Sequence, residues 1–264
     1  MAEWFGIVPA AGAGTRLAPY RAPKELIQIG YRKAEGRLLP KTVIEYLLTS
    51  MRAGGIRRAF VPLSPAKADV FRYLGSGGQL DMDLAYLCQD TPLGMPAAID
   101  LATPFLADRM VCMGMPDTVI APADCFSRLV DFHTSHGADV TLGVFPTDHP
   151  ERLAPVVIDV GTHRVRAIVD KPRTESPVRN TWGIAAWSPA FTELLHDYVA
   201  TVRREPGREL LMSDVFMTAV DTGLRVHALD FESGEFHDVG TPEGLLHIRA
   251  RFDLTADVPA RSAL

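Results

Sequence analysis

Cysteine is scarce in this chain. Cys88, Cys112 and Cys125 are the only three among 264 residues, and no two form a CxxC pair. An odd, irregularly spaced set excludes a disulfide framework and reads as reduced, buried thiols. Long apolar runs are missing too. No stretch approaches the roughly 18 residues that a membrane span requires. Met1-Ala2-Glu3-Trp4 puts no basic segment ahead of an apolar one, so no signal peptide is expected and the cytoplasm is the expected location. Positive charge is not in surplus. Lys and Arg number 27 against 32 Asp and Glu, a net −5. A protein that neutralises many phosphates needs the opposite balance, so no nucleic-acid partner is expected. A small anionic substrate held by local charge stays open. Two phosphate loops are absent: there is no GxxxxGK[ST], and the dinucleotide pattern GxGxxG fails at Leu17. Ser127 and Ser213 lack a GxSxG context, which removes a serine hydrolase.

What remains is ordinary globular material, 47% hydrophobic and 22% charged, enough for one large domain with a substantial core. Short apolar runs predict strands at Phe5–Val8, Ala59–Leu63, Leu84–Cys88, Met110–Met115, Val140–Val144, Val156–Val160, Val165–Val169, Gly183–Trp187 and Arg225–Leu229. Helical patterns fall between them at Thr42–Ala53, Ala66–Leu74, Ala97–Ala102, Ala123–His136, Pro189–Arg203 and Leu211–Asp221. A last helix starts with Pro242 in its first turn and runs to about Phe252. This alternation predicts an α/β fold, a mixed and mostly parallel sheet with helices on both faces. Val156–Val160 and Val165–Val169, joined by Gly161-Thr162-His163, predict a small hairpin. Tyr31–Arg37 and Arg173–Arg179 read as loops. Residues 1–255 read as a single domain and 256–264 as a frayed tail.

The most informative stretch is Ile7-Val8-Pro9-Ala10-Ala11-Gly12-Ala13-Gly14-Thr15-Arg16-Leu17. A strand enters a Gly/Ala-rich turn whose small side chains let backbone N–H groups approach an oxyanion, and Arg16 adds a bidentate clamp. A tight turn without a ligand would also fit this segment alone. With Pro23-Lys24-Glu25-Leu26 following, the pattern resembles the sugar-1-phosphate nucleotidyltransferases, in particular the thymidylyl and uridylyl branches. The likeness continues through Gln89–Gly94, Met115–Ile120, Asp170-Lys171-Pro172, Thr181-Trp182-Gly183, Glu209–Asp214 and His237–Pro242. These motifs follow in the family's order and cover about residues 5–245.

The resemblance implies a Rossmann-like core with the hairpin as a sugar-binding lobe. It implies an enzyme that condenses a nucleoside triphosphate, dTTP or UTP, with a sugar-1-phosphate and releases pyrophosphate. The backbone of Ala11, Gly12, Ala13, Gly14 and Thr15 would cradle the triphosphate, Arg16 would steady the leaving pyrophosphate, and Lys24 would bridge the reacting phosphates. Asp117 and Asp238 would carry Mg²⁺. Gln89 and Gly94 would meet the base, Asp170 the sugar hydroxyls, Lys171 the sugar phosphate, and Gly183 would let the backbone approach the hexose. A homo-oligomer is expected on the same ground.

The sequence also departs from the family. The loop between Pro19 and Pro23 is short, Tyr31–Leu39 is an insertion, and Pro116 stands where a Gly often precedes the metal Asp. Leu153-Ala154-Pro155 replaces an aromatic-Gly-Val segment, and Asp170 replaces a Glu. The phosphate half therefore matches better than the sugar half, and a modified hexose or cyclitol phosphate is a plausible acceptor. Two other classes compete, a catalytically silent nucleotide-binding homologue and a nucleotide-sugar-dependent glycosyltransferase. The second would use Asp81-Met82-Asp83 as its metal motif and leave the glycine loop unexplained. His133 and His136, spaced i, i+3, could touch one Zn²⁺, but a partly exposed amphipathic face is the expected reading.

Overall fold

The computed structural model describes residues 3–12, 14–34, 36–106, 108–174, 176–203, 207 and 209–251. The proposed tail, 256–264, lies outside them. In chain order the strands are β1 (Trp4–Ile7), β2 (Gln28–Ala34), β3 (Arg37–Thr42), β4 (Arg58–Leu63), β5 (Asp83–Cys88), β6 (Met110–Gly114), β7 (Thr118–Ala121), β8 (Val140–Pro146), β9 (Val156–Asp159), β10 (Arg164–Ile168), β11 (Asn180–Trp187), β12 (Val226–Asp230) and β13 (Glu235–Asp238). The helices are α1 (Val43–Ala53), α2 (Ala68–Leu74), α3 (Met95–Asp100), α4 (Thr103–Leu106), α5 (Cys125–Ser135), α6 (Pro189–Thr201), α7 (Met212–Asp221) and α8 (Pro242–Arg251).

Nine strands form one sheet in the order β5-β4-β1-β6-β11-β8-β12-β10-β9. Only β11 and β10 run against the other seven, so the sheet is mixed but mostly parallel, as the alternation predicted. Both faces are covered, and successive residues of the central strands serve opposite sides. Val111 and Met113 join the core under α3, α6 and α7, whereas Cys112 joins the core under α1 and α5. Near-continuous apolar strands are the sequence consequence of burial on both faces. The start of α1 is fixed locally: Thr42 precedes it, and its backbone N–H donates to Glu45 Oε2 at 2.7 Å, one arm of a capping box.

The predicted hairpin is present as β9 and β10, and it forms one edge of the main sheet. Its hold on β12 is narrow, a single paired position at Arg164 and His227.

Three features differ from expectation. Tyr31–Arg37 is not a loop, because Gln28–Ala34 and Arg37–Thr42 pair as an antiparallel ribbon around Gly36. A two-stranded ribbon with exposed sides carries Arg and Lys where a core strand would carry apolar residues, so it lacks the alternation that marks one. A second ribbon, β7 with β13, also went unread. His133 is fully buried, with Nδ1 3.0 Å from Thr141 Oγ1 and its ring edge-on to Trp4. Only His136 lies on the exposed face.

Candidate active site

A cleft of 470 Å³ opens where the glycine loop leaves β1 and β6 ends. This is the carboxyl edge of the parallel strands, where open α/β sheets bind ligands. Ala11 and Gly12 line it, and Gly14 takes a left-handed φ of +68°. Ala13 lies outside the described residues. Gly14 is not among the residues that line the cleft.

Arg16 and Lys24 converge on two carboxylates. Asp117 follows β6 directly, and its neighbour Thr118 begins β7. Asp238 ends β13, and the ribbon pairs Asp238 with Thr118. Val239 N–H donates to Asp117 O at 2.9 Å, which ties the two carboxylate-bearing turns together. Arg16 Nη1 donates to Asp238 Oδ2 at 3.0 Å, and its Nη2 is 3.9 Å from Asp117 Oδ2. Lys24 Nζ forms a close ion pair with Asp117 Oδ2.

Burial alone would raise the Asp117 carboxyl, but the Lys24 charge and hydrogen bond, with Arg16 adding, bring it below its ordinary value. Burial likewise opposes the Lys24 ammonium, yet Asp117 more than offsets it and the net shift is upward. Both groups are therefore held charged.

The pair also fits a hard divalent cation. A methyl group on Gly240 would lie 2.8 Å from Asp117 Oδ2 and 2.9 Å from both Asp238 Oδ1 and Arg16 Nη2. Two anionic oxygens thus converge on one point, where the Arg16 guanidinium now neutralises them. Mg²⁺ is typically held by one or two carboxylates, with substrate phosphates and water completing its shell. No group of three or more His, Cys, Asp or Glu forms a closed metal cage among the described residues.

Gln89, at the end of β5, is 7% exposed and lines the cleft, its backbone N–H bound to Leu63 O. Gly94 also lines it, at φ +103°. A Cβ there would run into the Leu210 backbone, so packing alone requires this glycine.

At the other end stand Asp170 and Lys171. Burial raises the Asp170 carboxyl, partly opposed by Lys171 and reinforced by Asp214. Lys171 has φ +46°, an uncommon conformation for a residue with a side chain, and its N–H is held by Leu153 O at 2.7 Å. Gly183 does not line the cleft; its missing side chain makes room for Phe236, whose ring would lie 2.7 Å from a Cβ.

Four polar lining residues had no role in the sequence reading: Glu25, Arg152, Thr181 and Glu209. Glu25 and Glu209 lay inside quoted motifs, and a carboxylate beside the apolar pair Leu26-Ile27 was the signal available for Glu25. Asp81 bonds Arg52 and Arg57 through its carboxylate, which accounts for it without a metal.

Fold and cleft together define an α/β protein that gathers two cations and two carboxylates at the carboxyl edge of its sheet. The chain belongs to the nucleotidyl transferase family, whose model matches residues 5–253. It is 23% identical over 245 residues to the glucose-1-phosphate thymidylyltransferase of Streptomyces antibioticus, an alignment that covers 92% of this chain and 64% of that one. The chain thus spans less than two thirds of that relative's length. It is 24% identical over 277 residues to the UTP–glucose-1-phosphate uridylyltransferase of Staphylococcus epidermidis, covering 94% of this chain and 91% of the relative. The UDP-glucose pyrophosphorylase of Acinetobacter baumanii has a similar fold, with a TM-score of 0.75 at 19% identity over 97% of this chain and 95% of that one.

Proposed function

We propose that this chain is a sugar-1-phosphate nucleotidyltransferase, with residues 1–255 acting as one catalytic domain. The observation that carries the reading is the convergence of Arg16, Lys24, Asp117 and Asp238 beside the glycine loop. A phosphate oxygen of the sugar-1-phosphate attacks the α-phosphorus of the triphosphate in line. The α–β bridging bond breaks, its electrons leave with pyrophosphate, and an NDP-sugar results.

Transfer of this kind depends on positioning and charge neutralisation. The loop backbone around Ala11 and Gly12 holds the triphosphate, Arg16 takes charge on the leaving pyrophosphate, and Lys24 spans the α-phosphate and the incoming phosphate. Asp117 and Asp238 would hold Mg²⁺, which when bound neutralises charge at the α-phosphate and the sugar phosphate. Gln89, buried at the base end, has the donor and acceptor to read the polar edge of thymine or uracil, so dTTP and UTP are the favoured donors. Lys171 holds the acceptor phosphate and Asp170 its hydroxyls. Cytoplasmic location and homo-oligomeric state belong to the same reading, on the family resemblance. Among the described residues no helix is long and apolar enough to cross a membrane.

Pyrophosphate release tests the proposal. Mixing the protein with UTP or dTTP, a panel of sugar-1-phosphates and Mg²⁺ should release pyrophosphate, EDTA should stop it, and added Mg²⁺ should restore it. Asp117→Asn should lower kcat on the order of 10²-fold with the fold intact. Turnover that persists in EDTA would remove the metal assignment.

A further inference from the structure

Lys24 and Glu25 are consecutive in one short turn, Lys24–Leu26, and both line the cleft. Lys24 reaches the cleft carboxylate Asp117. Glu25 is buried in the cleft wall, where its Oε1 accepts from Lys67 Nζ at 2.5 Å. Lys67 comes from a separate turn, Pro65–Lys67, that follows β4. Glu25 is 1% exposed and Lys67 5%. A buried Lys–Glu pair is a poor way to stabilise a fold, since apolar residues of similar volume do as well or better. This one is not even fully satisfied: Glu25 Oε2 is buried without a hydrogen-bond partner. Its position gives it another use.

We propose that Lys67 is a positioning residue for nucleotidyl transfer, acting through Glu25 to fix the turn that aims Lys24 into the cleft. The inference rests on the reading of Lys24 given above. Lys67, Glu25, Lys24 and Asp117 alternate in charge, with the last three on the cleft wall. The two pairs sense each other. Burial lowers the proton affinity of Lys67 and Lys24 adds to that effect, while Glu25 and, more weakly, Asp117 oppose it. Besides this clamp, the segment is tied down by Val43 N–H, which donates to Ile27 O at 3.0 Å, and by the packing of Leu26 and Ile27.

The test must separate aiming from folding. Lys67→Ala alone strands the Glu25 carboxylate in the interior and can fail for that reason. The informative variant is the double Glu25→Gln, Lys67→Met, which buries no charge. It should melt within a few degrees of the wild type and bind UTP in calorimetry. Its kcat should nevertheless fall about 10-fold or more, with the acceptor KM within about 2-fold. Lys67→Arg keeps a cation on Glu25 and should recover most of the rate. A double variant with wild-type kcat would overturn the proposal. So would one that fails to fold, because the pair would then serve the fold. A wild-type chain that binds UTP but releases no pyrophosphate with any acceptor would instead sink the parent reading.

Discussion

Asp117 and Asp238 are far apart in sequence. They come together because each sits at an end of the β7–β13 ribbon, and Arg16 and Lys24 then compensate both charges. The cations and carboxylates make different predictions at the two phosphate ends. On the proposed reading Arg16 meets the leaving pyrophosphate, so Arg16→Ala should lower kcat/KM for every acceptor tested. Lys171→Ala should mainly raise the KM for the sugar phosphate and leave the triphosphate KM within about 3-fold. Steady-state kinetics with each substrate varied in turn decides between them. If both variants shift only the triphosphate KM, Lys171 does not hold the acceptor.

At the level of elements, most of the frame could be read from the sequence. The nine strands of the main sheet were legible as short apolar runs, and the longer helices as amphipathic stretches between them. The two ribbons were not. β2 and β3 expose Lys33 on one strand and Leu38 on the other, and β7 and β13 span only four residues each. Their pairing is set by tertiary contact, which no local pattern encodes. The carboxylates Asp117 and Asp238 were legible from motif order alone, but the ribbon that joins them was not. Glu25 was visible as a letter in a motif, yet its partner Lys67 arrives from another turn and left no local signal. Gly94 illustrates the converse, a residue given a ligand role that packing explains by itself. Gly94→Ala should cost at least about 2 kcal/mol in urea melts, since it adds a side chain at positive φ against the Leu210 backbone. An alanine tolerated within about 0.5 kcal/mol would show that the backbone there yields easily.

Over the whole molecule, stability and chemistry depend on pH through different groups. Burial lowers the pKa of His133 from 6.5 to about 4. Between those values the unfolded chain binds a proton that the folded chain refuses. The contribution is therefore complete above pH 6.5 and is lost as pH falls toward 4. One such group removes about 2 kcal/mol between pH 7 and pH 5. His227, also lowered by burial, acts in the same direction. Urea melts at pH 7 and pH 5 should show the fall, and His133→Phe should reduce it. A wild-type stability that is flat over this range would mean that His133 is not kept neutral by burial.

The central claim is that the α-phosphate of a nucleoside triphosphate moves to a sugar phosphate in this cleft. It is tested most directly by following the label from UTP or dTTP carrying ³²P at the α-position, with Mg²⁺ and a panel of sugar-1-phosphates. Nucleotidyl transfer predicts that the label enters an NDP-sugar while unlabelled pyrophosphate appears in equal amount. Transfer should fall sharply in Lys24→Met and in Asp238→Asn. Label that stays in the triphosphate with every acceptor, or appears only in free mono- or diphosphate, would contradict it.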